Sequence, residues 1–187
     1  MIAPHRSLRA ARGPPETTGS AGLVGHDAQV IGEVVIRDGG PDDVPSMGWA
    51  SSGGLHAQWL AQAHRAATGE SDFLVAECDG MVVGKVVVDW VHNPDGSAWL
   101  WMGSVDPAYR GQGIGQRALA AAEERARQRG CHAVEMCADD DNTRARDLYL
   151  RSGYAIVGPY LDEHDETGPD GNPVRVASPG MRLRKLL

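Results

Sequence analysis

The chain has 187 residues, 42% hydrophobic and 23% charged, with a formal net charge of −7, which suits one soluble globular domain with a sizeable core. The acidic balance argues against a nucleic-acid partner, because phosphate backbones recruit basic surfaces, and no run of about 18 apolar residues is present to span a membrane. The three cysteines, Cys78, Cys131 and Cys137, lack CxxC spacing, which argues against a disulfide framework or a zinc ribbon and for reduced thiols in a cytoplasmic protein.

Residues 1–32 are rich in Gly, Pro, Ala and Arg and lack the apolar segment of a signal peptide; they read as a flexible tail ahead of a domain over 33–187. "EVVIRD" opens that domain as a short strand. Gly39-Gly40-Pro41 breaks the chain, and Asp42 or Asp43 is placed to cap a helix. Positions 44–67 form a helical region that Gly48 and the cluster 51–54 divide in two. Its Trp49, His56 and Trp59 fit either the wall of an acceptor site or a packed core. "DFLVAECDGMVVGKVVVDWV" reads as a hairpin about Asp79-Gly80, its apolar second arm interrupted by Lys85, and "SAWLWMGSV" is the next strand. Ile114, Ala118, Leu119, Ala122 and Ala126 keep helical spacing over 114–129, with Gly130 in the position that ends such a helix. "CHAVEMCA" is a fifth strand. Asp141 or Asn142 then caps a helix carrying Ala145, Leu148 and Tyr149 on one side and ending at Gly153. "YAIVG" and "GMRLRKLL" supply two last strands, separated by the polar excursion "PYLDEHDETGPDGNPVRVASP". The expected fold is α+β: a mixed, mostly antiparallel sheet of about seven strands flanked by about four helices.

The stretch "RGQGIG", Arg110 to Gly115, places three glycines directly before a helix. A helix N-terminus carries unpaired N–H groups and partial positive charge, so an anion can sit there. Glycine allows the backbone close approach, and Arg110 adds a charged donor fork. A P-loop would need GxxxxGK followed by Ser or Thr, which is absent. The dinucleotide fingerprint GxGxxG is one residue out of step. The pattern R/Q-x-x-G-x-G/A fits position for position.

On that pattern in "VDPAYRGQGIG", and on "NTRARDLYLRSGY" (Asn142 to Tyr154) with its N-x-x-A-x-x-L-Y-x-x-x-G-(F/Y) form, the chain resembles the GNAT family of N-acetyltransferases. The resemblance runs from about Val34 to Leu186. It implies acetyl-CoA as cosubstrate, no metal, and direct acetyl transfer to a primary amine of a small molecule or protein; the alternative it leaves open is a non-catalytic acyl-CoA-binding sensor or scaffold. A homodimer is compatible with this reading. Arg110 and the backbone of Gly111, Gln112, Gly113, Ile114 and Gly115 are expected to hold the pyrophosphate, and the backbone at Gly103 and Val105 to align the pantetheine, with Gly103 also the place for a β-bulge. Asn142 is either a cofactor contact or a helix cap. Tyr149 corresponds to the general acid. For the base, Glu135 stands first, ahead of Asp89 and His92. The excursion's carboxylates, Asp162, Glu163, Asp165, Glu166 and Asp170, read as either a solvated loop or a lid that attracts an amine cation.

Overall fold

The computed structural model describes residues 32–50, 55–167 and 172–187; the tail expected over 1–32 lies, but for Gly32, outside them. Seven strands form one sheet: β1 (Val34–Asp38), β2 (Ser71–Cys78), β3 (Met81–Asp89), β4 (Ala98–Val105), β5 (Ala133–Asp139), β6 (Ala155–Thr167) and β7 (Pro173–Leu186), in the order β1-β2-β3-β4-β5-β7-β6. All neighbours are antiparallel except β4 and β5, so the sheet is mixed as the sequence indicates. Three α-helices, α1 (Leu55–Ala67), α2 (Ile114–Gln128) and α3 (Thr143–Arg151), connect them together with short 3₁₀ turns.

The central strands are buried on both faces, which is why β2 and β3 read as nearly continuous apolar runs. Their connection is the Asp79-Gly80 turn, with φ of 50° and 78°, as a tight hairpin of this kind demands at both positions. On one face of the sheet, Trp59 and Ala63 of α1 pack with Val44 and Met47 against Phe73, Val75 and Val87. On the other, Ala118, Leu119, Ala122 and Ala126 of α2 cover Leu74, Val86, Val88, Leu100, Val134 and Met136. The period-two alternation of β3 thus feeds two cores. Trp59 belongs to the first of them, with His56 tilted against it at 5.6 Å between ring centroids. Trp49 packs at its margin, its Nε1 donating to the Val82 carbonyl at 2.9 Å.

Two elements differ from expectation. The first half of the region 44–67 is not α-helical but two 3₁₀ turns, Pro41–Ser46 and Gly48–Ala50. Pro45 has no N–H to give an α-helical ladder, and Gly48 follows it. Neither Asp42 nor Asp43 is the cap residue, which is Gly40; Asp43, third in the turn, reaches back to accept the Gly40 N–H at 2.9 Å and is bridged by Arg37 at 2.7 Å. The polar excursion is the second difference. It is the continuation of β6 and β7, of 13 and 14 residues, paired out to Thr167 and Pro173. Pro159 is tolerated because β6 is a sheet edge, and Pro179 because it lies just beyond the stretch of β7 that pairs with β5. Positions 168–171, Asp170 among them, lie outside the described residues. Strand β7 runs close against β5: a Cβ at Gly180 would stand 2.5 Å from the Ala138 carbonyl oxygen.

Candidate active site

β4 and β5 pair only at Ala98–Val134, Trp99–Glu135 and Leu100–Met136, although β4 continues to Val105 and β5 to Asp139. The strands part because β4 is bulged. Lys85 stands opposite Ser104 and Val87 opposite Trp101, so Met102 and Gly103 share the single residue Val86. The sequence marks this place by Gly103; the left-handed backbone falls one residue earlier, on Met102, at φ 54°. A bulge bends its strand and re-aims the groups beside it. The parted strands open a cleft of about 1320 Å³, walled by residues 102–105 of β4 and 136–139 of β5, with the start of α2 and α3 along its sides.

At the mouth stands the glycine turn. Asp106 accepts the Ala108 N–H at 2.9 Å and starts a 3₁₀ turn; Arg110 follows, its Nε donating to the Val105 carbonyl at 3.0 Å. Gly111 and Gly113 have φ of 85° and 79°, and a Cβ on either would project into empty space. This is a cradle that side chains would fill and strain. Gly113 is the N-cap of α2, whose leading N–H groups have no intrahelical acceptors. Gly115 serves packing instead: a Cβ there would touch Leu148 of α3 at 3.4 Å and Val105 at 3.8 Å. Free N–H groups, helix dipole, absent side chains and a guanidinium at one spot fit a pyrophosphate.

Across the cleft, α3 begins at Asn142, whose Oδ1 accepts the Ala145 N–H at 3.2 Å; the cap is therefore Asn142 rather than Asp141. One face of α3 carries Tyr149 into the cleft. Burial, with Cys137 and Asp139 nearby, pushes its phenol up to about 12. Burial likewise pushes the Cys137 thiol up to about 11, with Asp162 and Asp139 adding to it, which leaves an inert thiol rather than a nucleophile.

Of the residues the sequence nominates, Gly103, Val105, Arg110, Gly111, Gly113, Ile114, Gly115, Asn142 and Tyr149 line this cleft; Gln112 and Glu135 do not. Glu135 lies behind the cleft rather than in it. It is buried, and its carboxylate is gripped by Arg182 and Arg184 of β7. Both of its oxygens are therefore already engaged by β7. Asp89, the next candidate, lines the cleft but is also committed. Burial acts to raise its pKa, yet Arg65, 2.6 Å away, and the N–H groups of Val91 and His92 hold the carboxyl below its usual range. His92 is exposed at the cleft and stacks on Trp99, centroids 4.5 Å apart. Lys85 was legible only as a charge interrupting β3. It is buried against the cleft, its Nζ donating to the Met102 carbonyl at 2.7 Å and lying 4.6 Å from the centre of the Trp59 ring. Burial lowers its ammonium to about 8.

The chain belongs to the GNAT acetyltransferase family: the family model for "Acetyltransferase (GNAT) family" matches residues 43–154. Solved structures share the fold. An IAA acetyltransferase from Bacillus cereus is 21% identical, covers 83% of this chain and 100% of its own, and superposes with a TM-score of 0.62. A ribosomal-protein-alanine N-acetyltransferase from Brucella melitensis is 23% identical, with 82% and 99% covered and a TM-score of 0.61. The yncA protein of Salmonella typhimurium, solved with its cofactor acetyl-CoA, is 18% identical, with 82% and 94% covered and a TM-score of 0.59. Among the described residues no helix is long and apolar enough to cross a membrane.

Proposed function

We propose that the chain transfers an acetyl group from acetyl-CoA directly to a primary amine of a small molecule or protein. One observation carries the reading: a side-chain-free anion cradle and a protonated, half-buried phenol, Tyr149, stand in the same cleft where β4 and β5 part. Acetyl-CoA supplies an acyl group activated as a thioester. Arg110 and the N–H groups from Gly111 to Gly115 would hold its pyrophosphate. The backbone of Gly103 and Val105, left without a β5 partner, offers strand-like pairing to the pantetheine. Asn142 would act through its cap, fixing the start of α3. A backbone N–H of the bulge receives the charge that develops on the acetyl oxygen. Tyr149 gives its proton to the sulfur that leaves as the new C–N bond forms. The proton lost by the amine departs on the side of the cleft where His92, Asp162 and Glu163 stand; Glu135 does not enter the reaction.

The test is thiol release from acetyl-CoA across a panel of primary amines, read beside acetyl-CoA binding by calorimetry. Turnover with at least one amine is expected. Binding without thiol release for any amine would instead establish the non-catalytic acyl-CoA-binding module.

A further inference from the structure

Lys85 sits inside the run MVVGKVVVD, at a position where the fold buries its neighbours on both faces. It is itself only 3% exposed, and no carboxylate among the described residues shifts its titration. Burying an ammonium without a counter-charge is costly. Its compensation comes from two sources, the Trp59 ring and the Met102 carbonyl.

Met102 explains the second. Only two non-glycine residues among those described have positive φ, Asp79 and Met102. Asp79 lies in a hairpin turn that requires it. Met102 lies inside a strand, where a left-handed backbone costs about 1–2 kcal/mol for a residue with a side chain. Something must hold it there. The bulge takes Met102 out of register with β3, and the Lys85 ammonium meets its carbonyl oxygen at 2.7 Å. With that oxygen fixed, the peptide unit joining Met102 to Gly103 is fixed too, because the peptide is planar. The Gly103 N–H belongs to that same unit, on the wall of the cleft.

We propose that Lys85 is a positioning residue for acetyl transfer: its ammonium clamps the Met102 carbonyl and so aims the Gly103 N–H at the acetyl oxygen. The proposal rests on the reading of the cleft as an acetyl-transfer site. It gives the lysine a purpose that neither core packing nor charge balance supplies, and it accounts for the strained backbone falling on Met102 although a glycine stands next to it. In this role Lys85 acts through the peptide it holds.

Lys85→Met keeps the unbranched stem, one atom shorter, and deletes the donor. Removing an oxyanion donor outright costs about 10²–10³-fold in kcat, and misaiming one is expected to cost roughly 10–100-fold. Acetyl-CoA affinity should be unchanged, and the loss should be the same for every amine that is a substrate. Met102→Gly removes the strain, since glycine takes this backbone freely; the double variant Lys85→Met/Met102→Gly should therefore recover most of the lost kcat. A packing role would lower the melting temperature of Lys85→Met without that kinetic loss, and glycine would not rescue it. Unchanged kcat in a folded Lys85→Met, or a double variant no faster than the single, overturns the proposal. If the wild type releases no thiol with any amine, the acetyl-transfer reading fails and the catalytic purpose falls with it. The clamp is then read by amide hydrogen exchange over 101–104. Faster exchange in Lys85→Met that returns toward wild type in the double variant supports it as a structural device, and unchanged exchange removes it altogether.

Discussion

The two sides of the cleft meet a ligand by different means. The turn before α2 presents backbone: Gly111 and Gly113 hold left-handed conformations with open space where side chains would be. The β6–β7 hairpin presents side chains: Asp162 and Glu163 project from a strand whose backbone is engaged in pairing with β7. A backbone site is rigid and intolerant of almost any substitution. A side-chain site acts through charge, is screened within about 8–10 Å at ordinary ionic strength, and tolerates replacement at modest cost. One side should therefore govern whether the cosubstrate binds at all, and the other how readily an amine is captured.

The largest expected effect lies between the two sides, at Tyr149. Tyr149→Phe keeps the ring and removes the proton, and turnover should fall about 10²–10⁴-fold with acetyl-CoA affinity unmoved. Because the group works protonated and burial pushes it to about 12, it adds no descending limb to the wild-type pH profile below about pH 11. A limb near pH 10 that Tyr149→Phe abolishes would contradict the burial argument.

Next comes the ion pair behind the cleft. Glu135 is buried, whereas Arg182 and Arg184 are each partly exposed. Removing both arginines strands a buried charge and should cost about 3–5 kcal/mol in a denaturant titration. Glu135→Leu leaves two guanidiniums able to reach water and should cost distinctly less. Turnover per folded molecule should survive Glu135→Gln; its loss would return Glu135 to the role of base.

Gly113→Glu attacks the backbone side directly. It sets a like charge and a side chain against the pyrophosphate, and loss of charge-assisted contacts worth about 1.5–3 kcal/mol should weaken acetyl-CoA binding about 10–100-fold by calorimetry. Gly113→Ala supplies the strain without the charge and should lower the melting temperature more than the affinity. Affinity untouched by the glutamate in a folded variant would disconnect the turn from the cosubstrate.

The smallest effect is expected on the side-chain side. Asp162→Asn/Glu163→Gln should raise the amine KM by no more than about five-fold, the range of exposed charge pairs, and leave the acetyl-CoA KM alone. The wild-type amine KM should rise with ionic strength more steeply than the variant's. Equal kinetics at every salt concentration would reduce these carboxylates to solubility.

The same contrast explains which parts of the molecule can be read in advance. A turn that needs left-handed backbone must carry glycine, so Gly111 and Gly113 announce themselves. An amphipathic helix must repeat every three to four residues, as Ile114 to Ala126 do, and a helix start must satisfy its N–H groups, as Asn142 does. These requirements are local. The outer hairpin is not: β6 is acidic there, β7 carries Pro173 and Pro179, and each strand owes its form to the partner it finds in the other. The contacts of Lys85 and Glu135 are unreadable for the same reason. Their partners, Met102, Arg182 and Arg184, are 17, 47 and 49 positions away, and no spacing rule connects them. Even the bulge is marked only approximately, by Gly103, because the contact that holds it comes from another strand.

The insertion of β7 between β5 and β6 has a consequence for how the sheet is completed. In chain order α3 and β6 come between β5 and β7, so the outer edge of β5 is completed only by the last strand. Glu135 belongs to β5. A carboxylate at such a place makes burial by an apolar stranger unfavourable, since the charge would be enclosed with nothing to answer it. The strand that does dock brings Arg184 into register directly opposite Glu135, with Arg182 two residues before it. The ion pair thus favours one partner strand in one register, since a slip of a single residue would turn both arginines to the other face of the sheet and leave the buried carboxylate unanswered.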